Sequence, residues 1–415
     1  MPYVNSYLSL HHELEGPLMN FGASVIYLGD YIGCRMIYLE ACYYIYKTIG
    51  LRNTLIASIL VVCFGFGLVS VWPDPYAVVL FDNLIIGVGC GVINVSSIWP
   101  LHSIFGSSNA TVTGLAMLGF SIGPSLYGLI LTEIVNPDNL TANGIKSTDE
   151  IYPDSVSKRV PLGFLVLSAI FFTVGMISLL IIKIKPNSDS ESSQDEAYPT
   201  LSYKQIFQSS GFWRLFWFFF LSYFSMIFFI SDYRTFMLKY IKDDHLISYT
   251  NTISIITDNI GSVVWMIFLD YTSFNTSMIV INSILMILLA TLPIIWNIPI
   301  AFIVWICALW FCFGGLYAAS VYETYNAFPG DTGKKVWPLL TIPWNLSVFC
   351  TVGITAIGDW YGYSYAIYIL IAMTIASIAI ILFWKHSIII QKESLSSELI
   401  SDEISINKPD DLISN

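Results

Sequence analysis

Charged side chains are scarce. Asp, Glu, Lys and Arg make up 11% of the 415 residues, whereas a soluble domain carries about a quarter. Too little charge is present to solvate a globular surface of this size. Basic clusters are missing as well, which removes a nucleic-acid-binding face. Histidine is nearly absent: the five present (His11, His12, His102, His245 and His386) lie outside the apolar runs or near their ends. No H-E-x-x-H, G-x-S-x-G or P-loop pattern occurs, so neither an enzyme nor a bound cofactor is expected. "GVGCGV" (87–92) has the glycines of a nucleotide loop but sits inside an apolar run with no preceding strand. Metal-ligand spacing is lacking among the seven cysteines, all within apolar runs, where they are expected to pack as small buried residues. "MPYVNSYLSLHHELEG" has no basic region followed by a short apolar core, so it is not read as a signal peptide.

What is present is apolar. Hydrophobic residues reach 55%, mean hydropathy is +0.69, and runs near 20 residues recur, long enough to cross a bilayer as helices. Eleven spans are expected, near 21–45, 53–73, 76–101, 110–133, 161–183, 211–231, 247–269, 277–297, 299–324, 337–357 and 363–384. The net charge of −11 gathers in "SDSESSQDE" (188–196) and after Lys392, segments whose composition reads as solvated and disordered. Taking "KTIGLRN" (47–53) as cytoplasmic puts eleven Lys and Arg on that side against six on the other, which predicts a cytoplasmic C-terminus. The sequon Asn139-Leu140-Thr141 then falls outside. An integral multi-pass protein of a plasma membrane or endomembrane, acting as a monomer, is expected.

The chain repeats weakly. Gly50-Leu51-Arg52 corresponds to Ser273-Phe274-Asn275, and Phe105-Gly106 to Phe328-Pro329-Gly330, at offsets near 223. This divides the chain into an N-terminal bundle (1–184), an acidic linker (185–210), a C-terminal bundle (211–388) and an acidic tail (389–415). Two related halves suggest a transporter with its site between them.

The glycine-rich stretch "LIIGVGCGVINVSSIWPLHSIFGSSNATVTGLAMLGFSIGPSLYGLI", together with "FGGLYAASVYETYNAFPGDTG" and "WMIFLDYTSFN", resembles the major facilitator superfamily, closest to its oxalate/formate-antiporter and monocarboxylate-transporter branch. The resemblance covers nearly the whole chain apart from linker and tail. It implies an all-α integral membrane fold of two six-helix bundles with pseudo-two-fold symmetry. "PYVNSYL" is similar to the outer tail of a first helix, so a truncated twelve-helix chain is expected rather than an eleven-span variant. Where the branch carries an arginine after a glycine in its eighth helix, Ser262 follows Gly261. Lys47 stands where the loop after the second helix usually has an aspartate.

Several residues stand out by position. Asn251, Ser254, Asp258, Ser262 and Trp265 are spaced to share one helical stripe, while Ile253, Ile256, Ile260, Val263 and Ile267 lie mostly elsewhere. Asp258, with Asn259 beside it, falls near the bilayer centre, where a charge costs roughly 3 kcal/mol on insertion scales. Without water or a partner such a carboxyl becomes neutral, which makes Asp258 a candidate proton carrier or counter-ion; a structural hydrogen bond is the alternative. Arg35 is the cation nearest a midplane and faces neither Asp30 nor Glu40 well. It is expected to take the place vacated at Ser262 and bind a carboxylate through two parallel donors, or else to form a buried pair, with Asp258 among the partners. Asn94 and Asn345 are polar residues within spans, and Pro343 allows a bend. Gly87, Gly89, Gly91, Gly119 and Gly123 would allow close helix approach. Gating is assigned to Asp232 and Arg234 at one span end, to Glu323 with Lys334 and Lys335 nearby, and to Asp270 as a cap on a neighbouring helix. The expected activity is secondary active transport of a small organic anion, proton-coupled or by exchange. An amino acid or other small polar solute is the alternative, and a sensor that no longer transports is a second class.

Overall fold

A computed structural model describes residues 48–72, 81–105, 110–138, 140, 145–146, 149–150, 152–181, 200–238, 240 and 244–383, with isolated positions 7 and 45. Arg35, Asp30 and Glu40 lie outside the described residues, as do the acidic segment 188–196 and the tail.

Long helices dominate. In chain order they are α1 (Leu51–Val71), a π-helical turn (Phe81–Ile86) leading into α2 (Gly87–Phe105), α3 (Ala110–Val135), the short α4 (Asp154–Ser157) and α5 (Val160–Ile181). After the linker come the short α6 (Tyr203–Gln208), α7 (Ser210–Leu238), α8 (Asp244–Tyr271) and α9 (Phe274–Ile295). The last four are α10 (Pro299–Ala327), α11 (Asp331–Leu340), α12 (Ile342–Tyr361) and α13 (Tyr363–Leu382). A two-strand hairpin, Ile145–Lys146 with Asp149–Glu150, lies between α3 and α4. Among the described residues, eight helical stretches are long and apolar enough to cross a membrane.

Helix starts follow the repeat. α1 begins at Leu51 behind Gly50, and α9 at Phe274 behind Ser273, 274 − 51 = 223 residues later. Gly50 holds φ 78°, which a residue with a Cβ adopts only at a cost. Ser273 caps α9 instead through its hydroxyl, which accepts from the Thr276 N–H at 3.2 Å. Packing follows the same order: α1 packs on α2 and α5, and α9 on α10 and α13. Because successive long helices alternate in direction, the starts of α1, α3, α7, α9 and α11 share one end with the short α6. Arg52, Lys204, Arg214, Lys334 and Lys335 gather at this basic end, where the Arg214 guanidinium donates to the Phe383 carbonyl at the close of α13 (3.4 Å).

The structure adds three details to these expectations. The expected span 337–357 falls within one membrane-capable stretch, Asp331–Gly358, in which the single residue Thr341 (φ −86°, ψ −15°) separates α11 from α12, between Pro338 and Pro343. Proline cannot donate to the helical ladder, so two of them five residues apart weaken the same turn twice. The sixth apolar span ends at Ile230, close to the expected 231, while its helix continues to Leu238, so Asp232 and Arg234 sit on the last helical turns at the span's end; only their backbone is described. The end of the linker is folded: α6 has a capping box in which Ser202 and Gln205 satisfy each other's backbone N–H, and Leu201 and Ile206 are buried.

Candidate functional site

The polar stripe of α8 lies where three helices meet. Ser254, Asp258, Asn259, Ser262 and Trp265 are all buried, whereas Ile253, Ile256, Ile260 and Ile267 are exposed. Asn251 is exposed, so the stripe is narrower than its spacing predicts. An apolar outer face and a polar inner face are what a helix needs when it borders lipid on one side and polar groups on the other.

Glycine sets how close the neighbours come. A Cβ on Gly314 of α10 would collide with the Asp258 carbonyl oxygen, and one on Gly261 of α8 with the Phe311 carbonyl oxygen. On the third side, a Cβ on Gly114 of α3 would stand 2.7 Å from the Ser262 carbonyl oxygen. Gly315 leaves room for the Trp265 indole. α3 precedes the linker and α8 follows it, so Asp258 and Asn259 lie on a helix that forms the seam between the two sequence repeats. Gly89 also serves as expected, with a Cβ there 2.9 Å from the Ser58 carbonyl oxygen, but Gly119 and Gly123 have no other helix within 4 Å among the described residues.

Hydrogen bonding distinguishes the stripe's members. The Ser262 hydroxyl donates to the Asn259 carbonyl (2.8 Å) and the Thr257 hydroxyl to the Ser254 carbonyl (2.8 Å), both within α8. The Ser254 hydroxyl lies 3.9 Å from Cys307 Sγ on α10. The Asn259 side-chain amide donates to the Ile255 carbonyl at 2.8 Å, while its Oδ1 is buried with no hydrogen-bond partner among the described residues. Trp265 Nε1 and, on α3, Thr113 Oγ1 are in the same condition.

At the basic end the seam is closed by Asp270. Its carboxylate accepts from the backbone N–H of Ala110 (2.8 Å) and Thr111 (3.0 Å) and from the Thr111 hydroxyl. These are the first residues of α3, whose N–H groups have no partners within their own helix. A negative charge at that end also opposes the helix dipole favourably.

The remaining expected residues spread along the bundle. Asn94 is half-buried on α2, and Asn345 lies on α12, where only its backbone is described. Glu323 is fully buried near the basic end of α10. The Lys334 ammonium meets Asp331 Oδ1 at 3.0 Å, and Lys335 donates to the Leu201 carbonyl at 3.4 Å. The sequence reading missed an aromatic group between Asp258 and the basic end. The Tyr317 ring meets Trp344 (centroids 5.4 Å) and Trp337 (6.3 Å), Trp344 meets Tyr223 (5.2 Å), and the Tyr223 hydroxyl bonds the Ser320 hydroxyl. Aromatics are too frequent in this chain, at 15%, for these four to stand out by type.

No family model matches the chain. Over 87 residues it is 30% identical to the MFS-type transporter dbaD of Emericella nidulans, a match that spans 21% of this chain and only 20% of that protein. Solved structures align far more completely. The E. coli fucose:proton symporter FucP superposes with a TM-score of 0.67 over 93% of this chain and 97% of its own, at 13% identity. FucP in an outward conformation gives 0.65 at the same coverage and identity. The proton:xylose symporter XylE, bound to 6-bromo-6-deoxy-D-glucose, gives 0.72 over 91% of this chain and 89% of its own, at 11% identity. The chain has the fold of the major facilitator superfamily.

Proposed function

We propose that this protein is a secondary active transporter working by alternating access, with Asp258 as the group that takes up and releases a proton. One observation carries this: a carboxyl and an adjoining carboxamide are buried on the helix that forms the seam between the two repeats. A membrane helix retains such groups at their cost where something polar passes. Opening and closing of the seam is assigned to Asp270, whose bond to α3 must break for the two halves to part at the basic end.

The described wall of the site favours a solute that both donates and accepts hydrogen bonds. Asn259 Oδ1 accepts only, and Trp265 Nε1 donates only. Hydroxyl groups complement both, so a small neutral hydroxylated solute is the substrate class proposed first; the fold's neighbours FucP and XylE are named for fucose and xylose. The described cations lie toward helix ends, so a small mono- or dicarboxylate, the second reading, depends on Arg35.

Uptake by proteoliposomes under an imposed proton gradient tests both. Accumulation of a labelled hexose or polyol, abolished by Asp258→Asn, is the expected result. Accumulation of lactate or oxalate instead, lost in Arg35→Gln, selects the second reading. Binding without flux for every solute overturns transport.

A further inference from the structure

We propose that a furrow between α12 and α13, floored by the first half of α7, binds one anionic phospholipid of the leaflet at the basic end. Its phosphate lies on Arg214 and Lys204, and an acyl chain lies along a ladder of aromatic rings. Spacing makes the ladder: Trp213, Trp217, Phe220 and Phe224 are four, three and four residues apart, so they form one stripe of α7, with Phe216 beside it. Successive ring centroids lie 5.4 Å apart for Trp213 and Phe216, 5.9 Å for Phe216 and Trp217, 5.5 Å for Trp217 and Phe220, and 4.9 Å for Phe220 and Phe224. From first to last the ladder covers 224 − 213 = 11 residues. That is roughly 16 Å at about 1.5 Å per residue, half of a hydrocarbon core about 30 Å thick. An acyl chain of one leaflet has the same reach. The ladder opens at one end only. Trp213 and Trp217 are 41% and 47% exposed, Phe216 and Phe220 half-buried, and Phe224 is 3% exposed. The Ser347 hydroxyl of α12 donates to the Phe220 carbonyl at 3.1 Å, and the hydroxyls of Ser225 on α7 and Thr374 on α13 lie 3.5 Å apart. α12 and α13 are joined at Gly362, at the opposite end, so α7 is covered there and uncovered toward the basic end. A tryptophan that merely marks the membrane surface stays at headgroup depth; this stripe continues inward.

The mouth of the furrow is cationic. Arg214 neighbours Trp217 on the helix surface and uses one of its five N–H donors on the Phe383 carbonyl of α13. Lys204 stands one turn before Phe207 on the same face of α6. The Phe207 ring meets Trp213 with centroids 6.3 Å apart, and the Trp213 indole N–H donates to the Phe207 carbonyl at 2.8 Å, which holds Lys204 over the outer end of the ladder. Both cations are exposed, and neither forms an ion pair with a carboxylate among the described residues. A guanidinium and an ammonium above apolar rings match a phosphate that carries acyl chains. The acidic segment 188–196 has charge for the mouth but no apolar side chain for the ladder. The site requires that the chain lie in a bilayer, and it is independent of what the protein carries.

The test offers full-length protein, in an uncharged detergent, equal amounts of phosphatidylglycerol and phosphatidylcholine with the same acyl chains, and counts lipid adducts by intact-mass spectrometry. The phosphatidylglycerol adduct should exceed the other roughly twentyfold, about fivefold for each cation. Arg214→Gln and Lys204→Gln should each lower this preference about fivefold, while Arg214→Lys keeps most of it. Trp213→Ala with Trp217→Ala should reduce both adducts about fivefold and leave their ratio in place. Arg52→Gln, an exposed change at the same end on α1, should alter nothing. Equal adducts in the parent overturn the proposal, as does a preference that falls as far in Arg52→Gln as in Arg214→Gln. Displacement of the lipid by millimolar glycerol phosphate assigns the mouth to a soluble anion and also overturns it. A mass of two chains without lipid makes the furrow an interface between copies, and the lipid site is refuted.

Discussion

Two buried asparagines on adjacent helices make the same local bond and end differently. Asn282 on α9 donates to the Met278 carbonyl at 2.9 Å, and its Oδ1 accepts from the Ser377 hydroxyl of α13 at 3.2 Å. Asn259 on α8 donates to the Ile255 carbonyl at 2.8 Å, and its Oδ1 meets no described partner. Around Asn282 the pattern continues, with Ser377 and Thr374 of α13 also bonding carbonyls of their own helix. The α9–α13 pair is therefore closed: each amide atom is used, and helix-to-helix contact is its purpose. At the α3–α8–α10 seam the polar groups exceed what the seam itself consumes. Unused capacity in a dry place is costly, and the surplus separates a site from a joint.

The comparison breaks first at its glycines. Gly314→Ala forces a methyl into the Asp258 carbonyl and should cost about 1–3 kcal/mol along with nearly all uptake, measured as a lower thermal midpoint and loss of flux. Gly119→Ala, on the same kind of glycine-rich helix, should do neither. Next comes the carboxyl. Asp258→Asn keeps the shape and removes the titrating proton, so proton-driven accumulation should fall at least about tenfold while solute exchange at equal pH persists. The asparagines themselves follow. Asn259→Leu should weaken uptake and leave the midpoint in place, whereas Asn282→Leu should lower stability by about 1 kcal/mol, the scale of an interhelical hydrogen bond in a membrane, with uptake retained. If both variants lower the midpoint alike and spare transport, the surplus at Asn259 is architectural. The smallest effect is expected of Asp270→Asn, which keeps one acceptor but loses the charge at the start of α3, about 0.5–1 kcal/mol. Its readout is faster maleimide labelling at the basic end.

Much of this was legible from residue order because the bilayer imposes few solutions. A helix is the only backbone that satisfies itself in hydrocarbon, so apolar length located the eight membrane-capable stretches among the described residues, and polar spacing located the buried face of α8. Asp270 was singled out by its place in the stretch "WMIFLDYTSFN" that carries the family resemblance, and the N–H groups at the start of α3 are the donors it meets. What stayed hidden depends on facing partners. Gly114 and Gly119 are alike in sequence, but one meets the Ser262 backbone and the other no described neighbour within 4 Å. Nothing in the residue order around Gly114 signals that Ser262 and Met266 lie against it. Nor did composition reveal α6, because Leu201 and Ile206 are two apolar anchors at the edge of a polar, acidic stretch. Pro343 suggested a bend, and with Pro338 it flanks the one-residue interruption at Thr341 between α11 and α12.

Where Gly261 lies on the Phe311 carbonyl and Gly314 on that of Asp258, main chain touches main chain, and no side chain stands between to flex. Such close contact couples the two helices beside the acidic residue, so that a displacement of one is carried to the other. A proton arriving there would act on two helices at once, and the second of them ends at Ala327, a short loop away from the first residue of α11.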